Sequence, residues 1–236
     1  MSPSTETERD WALDGTRNAR DLGGIPLESG GYTAFRRFLR TDAPFALSER
    51  DRAGLLRAGF DRVLDLRSDM EAAAAPTCLS ADARFTVRRV ALAGDGRIPG
   101  ARDEVPETYM EMARGGQRMR QALEFLADAP RGAVIHCTAG KDRTGVVCAL
   151  LLALAGAPIE SIAADYALTQ SRMCGVLERV CRENPALCYD ALVAREENLL
   201  RFWEMFLKEY GGAGEYMLRI GLTEERTARL KEKLRG

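Results

Sequence analysis

Hydrophobic positions along the chain switch between short runs suited to strands and stretches spaced as on one helix face. Phe35, Phe38 and Leu39, set among basic residues, predict a strand at roughly 34–40. Ser48, with Asp51 three residues on, predicts a capped helix ending at Gly59. A core strand is expected at 61–66, running into Arg67-Ser68, and a further strand at 85–92. Between them, Glu71 to Pro76 reads as an Ala-rich helical start stopped by its proline. Residues 93–106, rich in Gly, Pro and Asp, predict a long turn-rich loop. Residues 107–127 predict an amphipathic helix with a soft centre at Gly115-Gly116. The run Gly132-Ala133-Val134-Ile135 predicts a buried strand at 132–136. From there the pattern is helical: 146–155 closed by Gly156, 159–173 opened by Pro158, and 176–188 broken at Asn184-Pro185. Helices at 191–210, 215–222 and 223–234 follow, the last with Thr223 as its N-cap. Strands alternating with helices imply an α/β fold with helices on both faces of a sheet and a helical C-terminal third. No repeat or linker divides the chain, so one domain over 1–236 is expected, with 1–16 a mobile arm pinned by Trp11.

Composition narrows the function classes. The 236 residues are 46% hydrophobic and 29% charged, with a net charge of -1. That balance advertises neither nucleic acid nor a membrane surface, so any attraction for phosphate has to be local. Met1 to Asp10 shows no basic and then apolar signal-peptide pattern. The longest apolar stretch is about half of what spans a bilayer. A cytoplasmic protein without integral membrane contact is the default expectation; export without a signal peptide and the oligomeric state stay open. Six cysteines include no Cys-x-x-Cys pair. Cys174, Cys181 and Cys188, seven apart, suit one core-facing helix side better than a metal site. His136 is the single histidine, which excludes a histidine-rich metal centre. It cannot be the base for its neighbour Cys137, because adjacent strand residues point to opposite faces.

The chemistry concentrates in His136-Cys137-Thr138-Ala139-Gly140-Lys141-Asp142-Arg143-Thr144-Gly145. Strand, tight loop and helix N-terminus in that order aim backbone N–H groups and a helix dipole at one point, which makes an anion site. Cys137 opens the loop and Arg143 closes it. A helix N-terminus and a guanidinium favour the thiolate, the nucleophilic form. The planar fork of Arg143 matches two phosphate oxygens. Thr138, Ala139, Gly140, Lys141, Asp142, Arg143 and Thr144 are expected to form the phosphate cradle, with the Thr144 hydroxyl donating to the Cys137 sulfur. His136 is expected to hold the loop from behind. Arg143 and the amides do the charge work, so no metal or cofactor is called for.

Cys-x5-Arg-Thr after a strand resembles the signature loop of the protein tyrosine phosphatases. The fuller His-Cys-x-x-Gly-Lys-Asp-Arg-Thr-Gly string resembles the atypical bacterial and fungal members, some of which also act on phosphoinositides. The likeness extends to Asn18-Ala19-Arg20-Asp21-Leu22-Gly23-Gly24, to Leu39-Arg40-Thr41, to Asp65-Leu66-Arg67-Ser68 and to Asp165-Tyr166. It implies a tyrosine-phosphatase-like, central and mostly parallel sheet flanked by helices. The implied activity is hydrolysis of phosphotyrosine through a phosphocysteine intermediate, with phosphoinositides or phosphoserine/threonine as further substrates. Arg20 and Asp21 would brace the loop. Arg67 would either support it or form a surface ion pair. Helices from about 159 to 190 would partly cover the site.

Three carboxylates compete as general acid. Most tyrosine phosphatases supply an Asp from a separate loop, which Asp95 or Asp103 would match; the resembled family carries one inside the signature, which is Asp142, the preferred choice. Its other reading is a brace paired with Arg20 or Arg67. Lys141 is expected at the rim, where a second cation would suit phosphoinositides. Two rival functions remain: a catalytically silent phosphate-binding module, and a thiol-based arsenate reductase.

Overall fold

The computed structural model describes residues 6–92 and 99–236. Five strands form one sheet: β1 (Arg20–Asp21), β2 (Phe38–Thr41), β3 (Phe60–Asp65), β4 (Thr86–Arg89) and β5 (Gly132–His136). Their order is β1-β2-β5-β3-β4, with β1 antiparallel and the others parallel. β5 thus fills the gap between β2 and β3, and its C-terminal end lies level with theirs: His136 is in register with Thr41 on one side and Asp65 on the other. In open α/β sheets the crevice beyond such strand ends is where ligands bind.

Period-2 alternation assigns the two faces. Phe38, Leu64, Ala133, Ile135 and Cys137 point into the larger core, while Leu39, Val63 and Val134 point into a smaller one. The smaller core is closed by α2 (Glu49–Ala58), which Ser48 and a left-handed Gly59 cap as the sequence predicts. The larger core is closed by helices. These are α4 (Val105–Arg114), α5 (Gly116–Ala127), α6 (Asp142–Ala155), α7 (Ile159–Glu183), α9 (Glu196–Tyr210), α10 (Ala213–Arg219) and α11 (Glu224–Arg235). Two shorter helices, α3 (Asp69–Ala74) and α8 (Tyr189–Leu192), lie beside the strand ends' loops. Almost every residue of α6 is buried, so it is a core helix with its N-terminus aimed past β5.

Several expectations change. The predicted helix over 107–127 is two helices, because Gly115 ends α4 and begins α5. Conversely, 159–183 is one helix that runs through Gly175. Residues 6–16 are packed rather than free. Within α1 (Glu6–Arg9), Arg9 reaches the buried Asp165, Trp11 meets Phe60 edge-on, and Leu13 joins the smaller core. Among the described residues no helix is long and apolar enough to cross a membrane.

Candidate active site

The loop between β5 and α6 opens at Cys137, which is 2% exposed. Its carbonyls are pulled outward one after another. Thr138 O accepts from Ala43 N at 3.0 Å, and Ala139 O from Asn18 Nδ2 at 3.0 Å. Gly140 O takes both Arg40 Nη2 at 2.8 Å and Asn18 Nδ2 at 3.2 Å. A trans peptide points its C=O and the next N–H in opposite directions. The amides of residues 139–141 therefore face the loop interior, and they have no acceptor among the described residues. Gly140 makes the turn possible: its φ is +67° and a Cβ would stand 2.5 Å from Thr41 O. The N-terminus of α6 adds its own orphan donors to the same cavity.

Behind the loop, Asp165 on α7 receives Arg9, Arg20 (3.1 Å) and Arg40 (2.7 Å). Burial alone would push the Asp165 carboxyl up, but the three guanidinium groups hold it well below its usual value. Three arginines on one carboxylate leave excess positive charge under the loop. Asn18 completes the layer through Arg20 Nη1 at 2.5 Å and Thr169 at 3.3 Å. The expected bracing by Arg20 is therefore present, through Asn18 and Asp165. Asp21 acts one step away: it accepts from Gly23 N (2.8 Å) and Arg36 N (2.9 Å) and fixes the turn after β1. Burial raises its carboxyl to about 6.

At the mouth, Arg143 is met by a residue that the sequence reading assigned no role. Glu71 on α3 accepts from Arg143 Nη1 at 2.6 Å and Nη2 at 2.8 Å, and from Thr138 Oγ1 at 2.7 Å. It also closes a capping box with Ser68. Burial works against ionisation, yet these donors pull the Glu71 carboxyl down to about 2, while Glu71 and Cys137 raise Arg143. The Ser68-x-x-Glu71 spacing was the available signal.

Arg67 is neither a surface ion pair nor a direct loop contact. It is buried, pairs with Asp65 at 2.9 Å and donates to Ala75 O at 2.7 Å, which anchors the end of α3 and so Glu71. His136 is fully buried, with Nδ1 3.1 Å from Cys137 O, and Nε2 has no partner; burial pushes its imidazole below the usual value. The Thr144 hydroxyl is buried and has no partner among the described residues, so the expected bond to the Cys137 sulfur is not made.

Asp142 pairs with neither Arg20 nor Arg67. Its Oδ1 accepts from Tyr109 Oη at 2.5 Å and lies 3.3 Å from Lys141 Nζ. Lys141 is not at the rim: its side chain is buried and donates to Ala191 O (3.1 Å) and Leu192 O (2.7 Å) on α8. Asp103 is exposed in a short 3-10 turn before α4, and Asp95 lies outside the described residues. Among the described residues no group of three His, Cys, Asp or Glu side chains could hold a metal ion.

A sequence profile described as "Tyrosine phosphatase family" matches residues 11–236. A tyrosine-protein phosphatase of Nostoc commune is 36% identical over 140 residues, 56% of this chain and 48% of that protein. A Cupriavidus necator relative is 32% identical over 180 residues, 72% of this chain and 66% of its own. The chain thus spans about half of the first relative's length and 66% of the second's. A triple specificity protein phosphatase of Mycobacterium tuberculosis is 26% identical over 278 residues, covering 95% and 98% of the two chains.

Proposed function

The chain belongs to the tyrosine phosphatase family, and on that premise we propose that it is a cysteine-dependent phosphatase hydrolysing phosphotyrosine through a phosphocysteine intermediate. The observation that carries the reading is the loop's outward-tied carbonyls, which leave a ring of donors around Cys137 with Arg143 beside it. The Cys137 thiolate attacks phosphorus in line, forming the S–P bond as the P–O bond to the leaving phenolate breaks. Amides of residues 138–143 and Arg143 hold the three equatorial oxygens, whose charge is spread in the transition state. Asp142 gives its proton to the leaving oxygen. Water then attacks phosphorus, Asp142 takes a proton from it, and the S–P bond breaks to release phosphate and the thiolate.

Activity on phosphoserine, phosphothreonine and phosphoinositides belongs to the same proposal. It is supported by the full-length relative named a triple specificity phosphatase. It draws no support from Lys141, whose ammonium is used on α8 carbonyls. Vanadate-sensitive hydrolysis of an aryl phosphate is expected, and Cys137→Ser should abolish it. Vanadate binding without turnover would favour the silent module, and thiol-dependent arsenate turnover alone the reductase.

A further inference from the structure

We propose that Tyr109 is the positioning residue for the acid: its hydroxyl fixes Asp142 Oδ1, so that Oδ2 alone is left to carry the proton to the leaving oxygen. The inference rests on the reading of Asp142 as general acid and adds what holds it.

The two carboxylate oxygens of Asp142 differ. Oδ1 takes the Tyr109 hydroxyl at 2.5 Å and faces the Lys141 ammonium at 3.3 Å. Oδ2 has no partner among the described residues, and the side chain as a whole is 37% exposed. Both Oδ1 neighbours are buried and held by further contacts. The Tyr109 ring is fully buried between the edges of Tyr166 and Phe202. Its oxygen lies 2.6 Å from the Tyr166 hydroxyl. Tyr109 spends its proton on Asp142, so Tyr166 donates to Tyr109 and the relay runs Tyr166, Tyr109, Asp142 in one direction. Lys141 is locked by two α8 carbonyls. The charged and titratable groups facing Asp142 are thus Lys141, Arg143, Tyr109 and Tyr166, drawn from the loop, α4, α6 and α7. Burial and the nearby carboxylate keep both phenols neutral, so they remain donors. An acid pinned at one oxygen has its other lone pairs aimed by geometry rather than by chance, which is the ordering that proton transfer needs.

The test compares aryl phosphates with poor and good leaving groups, because only a poor leaving group needs the proton. For Tyr109→Phe we expect kcat/KM, which reads phosphocysteine formation and not the shared hydrolysis in which Asp142 is the base, to fall roughly tenfold on phenyl phosphate and to stay within twofold on dinitrophenyl phosphate. Asp142→Asn should show the same selectivity at larger amplitude, about 10²-fold. Equal losses on both substrates for Tyr109→Phe, with Asp142→Asn selective, would overturn the positioning role while leaving the acid in place. A non-selective Asp142→Asn would instead overturn the acid assignment. Should Tyr109→Phe fold poorly, Tyr166→Phe removes the second donor of the relay and should give the same selectivity at smaller size.

Discussion

Arginine meets carboxylate on both sides of the loop, and the two meetings are built differently. Behind it, Arg20, Arg40 and Asp165 are all within 1% of complete burial, and each guanidinium is also spent on backbone or amide oxygens. At the mouth, Arg143 and Glu71 are 12% and 27% exposed, and the Arg143 Nε is left without a protein acceptor among the described residues. A buried charge cluster of the first kind yields a fixed shape, since removing one member strands the others in a medium that cannot solvate them. A pair of the second kind keeps a cation aimed while leaving it donors to offer. Scaffold and reagent are therefore distinguished by burial rather than by residue type or saturation, since the buried Arg40 Nε also has no partner among the described residues.

The most damaging way to probe this contrast is Asp165→Asn. It leaves three guanidinium groups without a counter-charge, and a loss of about 3–5 kcal/mol is expected, read as a lowered urea midpoint. A change under 1 kcal/mol would mean that the cluster is not the scaffold. Next is Glu71→Gln, which keeps an acceptor for Ser68 N but removes the charge facing Arg143. It should lower kcat roughly tenfold, with a smaller shift of the urea midpoint than Asp165→Asn gives, because this pair keeps some solvent contact and the buried cluster does not. A large midpoint shift would erase the contrast. The smallest effect is in acid. Glu71 has its folded value depressed from 4.5 to about 2, so its pairing energy is fully present above 4.5 and is lost as pH falls through about 2. The three guanidinium groups likewise hold Asp165 well below its ordinary value. Carboxyl NMR should show Glu71 titrating near 2; titration near its ordinary 4.5 would mean that the cation at the mouth does not grip it.

The strand at 132–136, its loop and the burial of α6 were legible because a short apolar run, a turn and a second apolar run leave few alternatives. Cys137 and Arg143 stood out as candidates because the whole ten-residue string sits between a strand and a helix, not because of the Cys-x5-Arg spacing by itself. What could not be read was which polar side chains meet across the chain. Lys141 looked like a rim cation because lysine is usually solvated, yet two unsatisfied carbonyls of α8 draw it inward. Tyr109 looked like core, which it is, but its hydroxyl had to find a buried acceptor and found Asp142. Glu71 was hidden in an Ala-rich segment whose capping box was overlooked. Periodicity reports on burial, while pairing over long separations depends on the assembled fold.

Asn18 and Arg20 wait for partners 121 to 151 positions further along: Ala139, Asp165 and Thr169. A ribosome lays the chain down in order, so the anion cradle cannot close until α7 has cleared the exit tunnel. Until then Cys137 and Arg143 lie in a loop whose braces, Asp165 and Thr169, are not yet in place. Closure of the loop is thereby tied to synthesis of the segment that runs through α7.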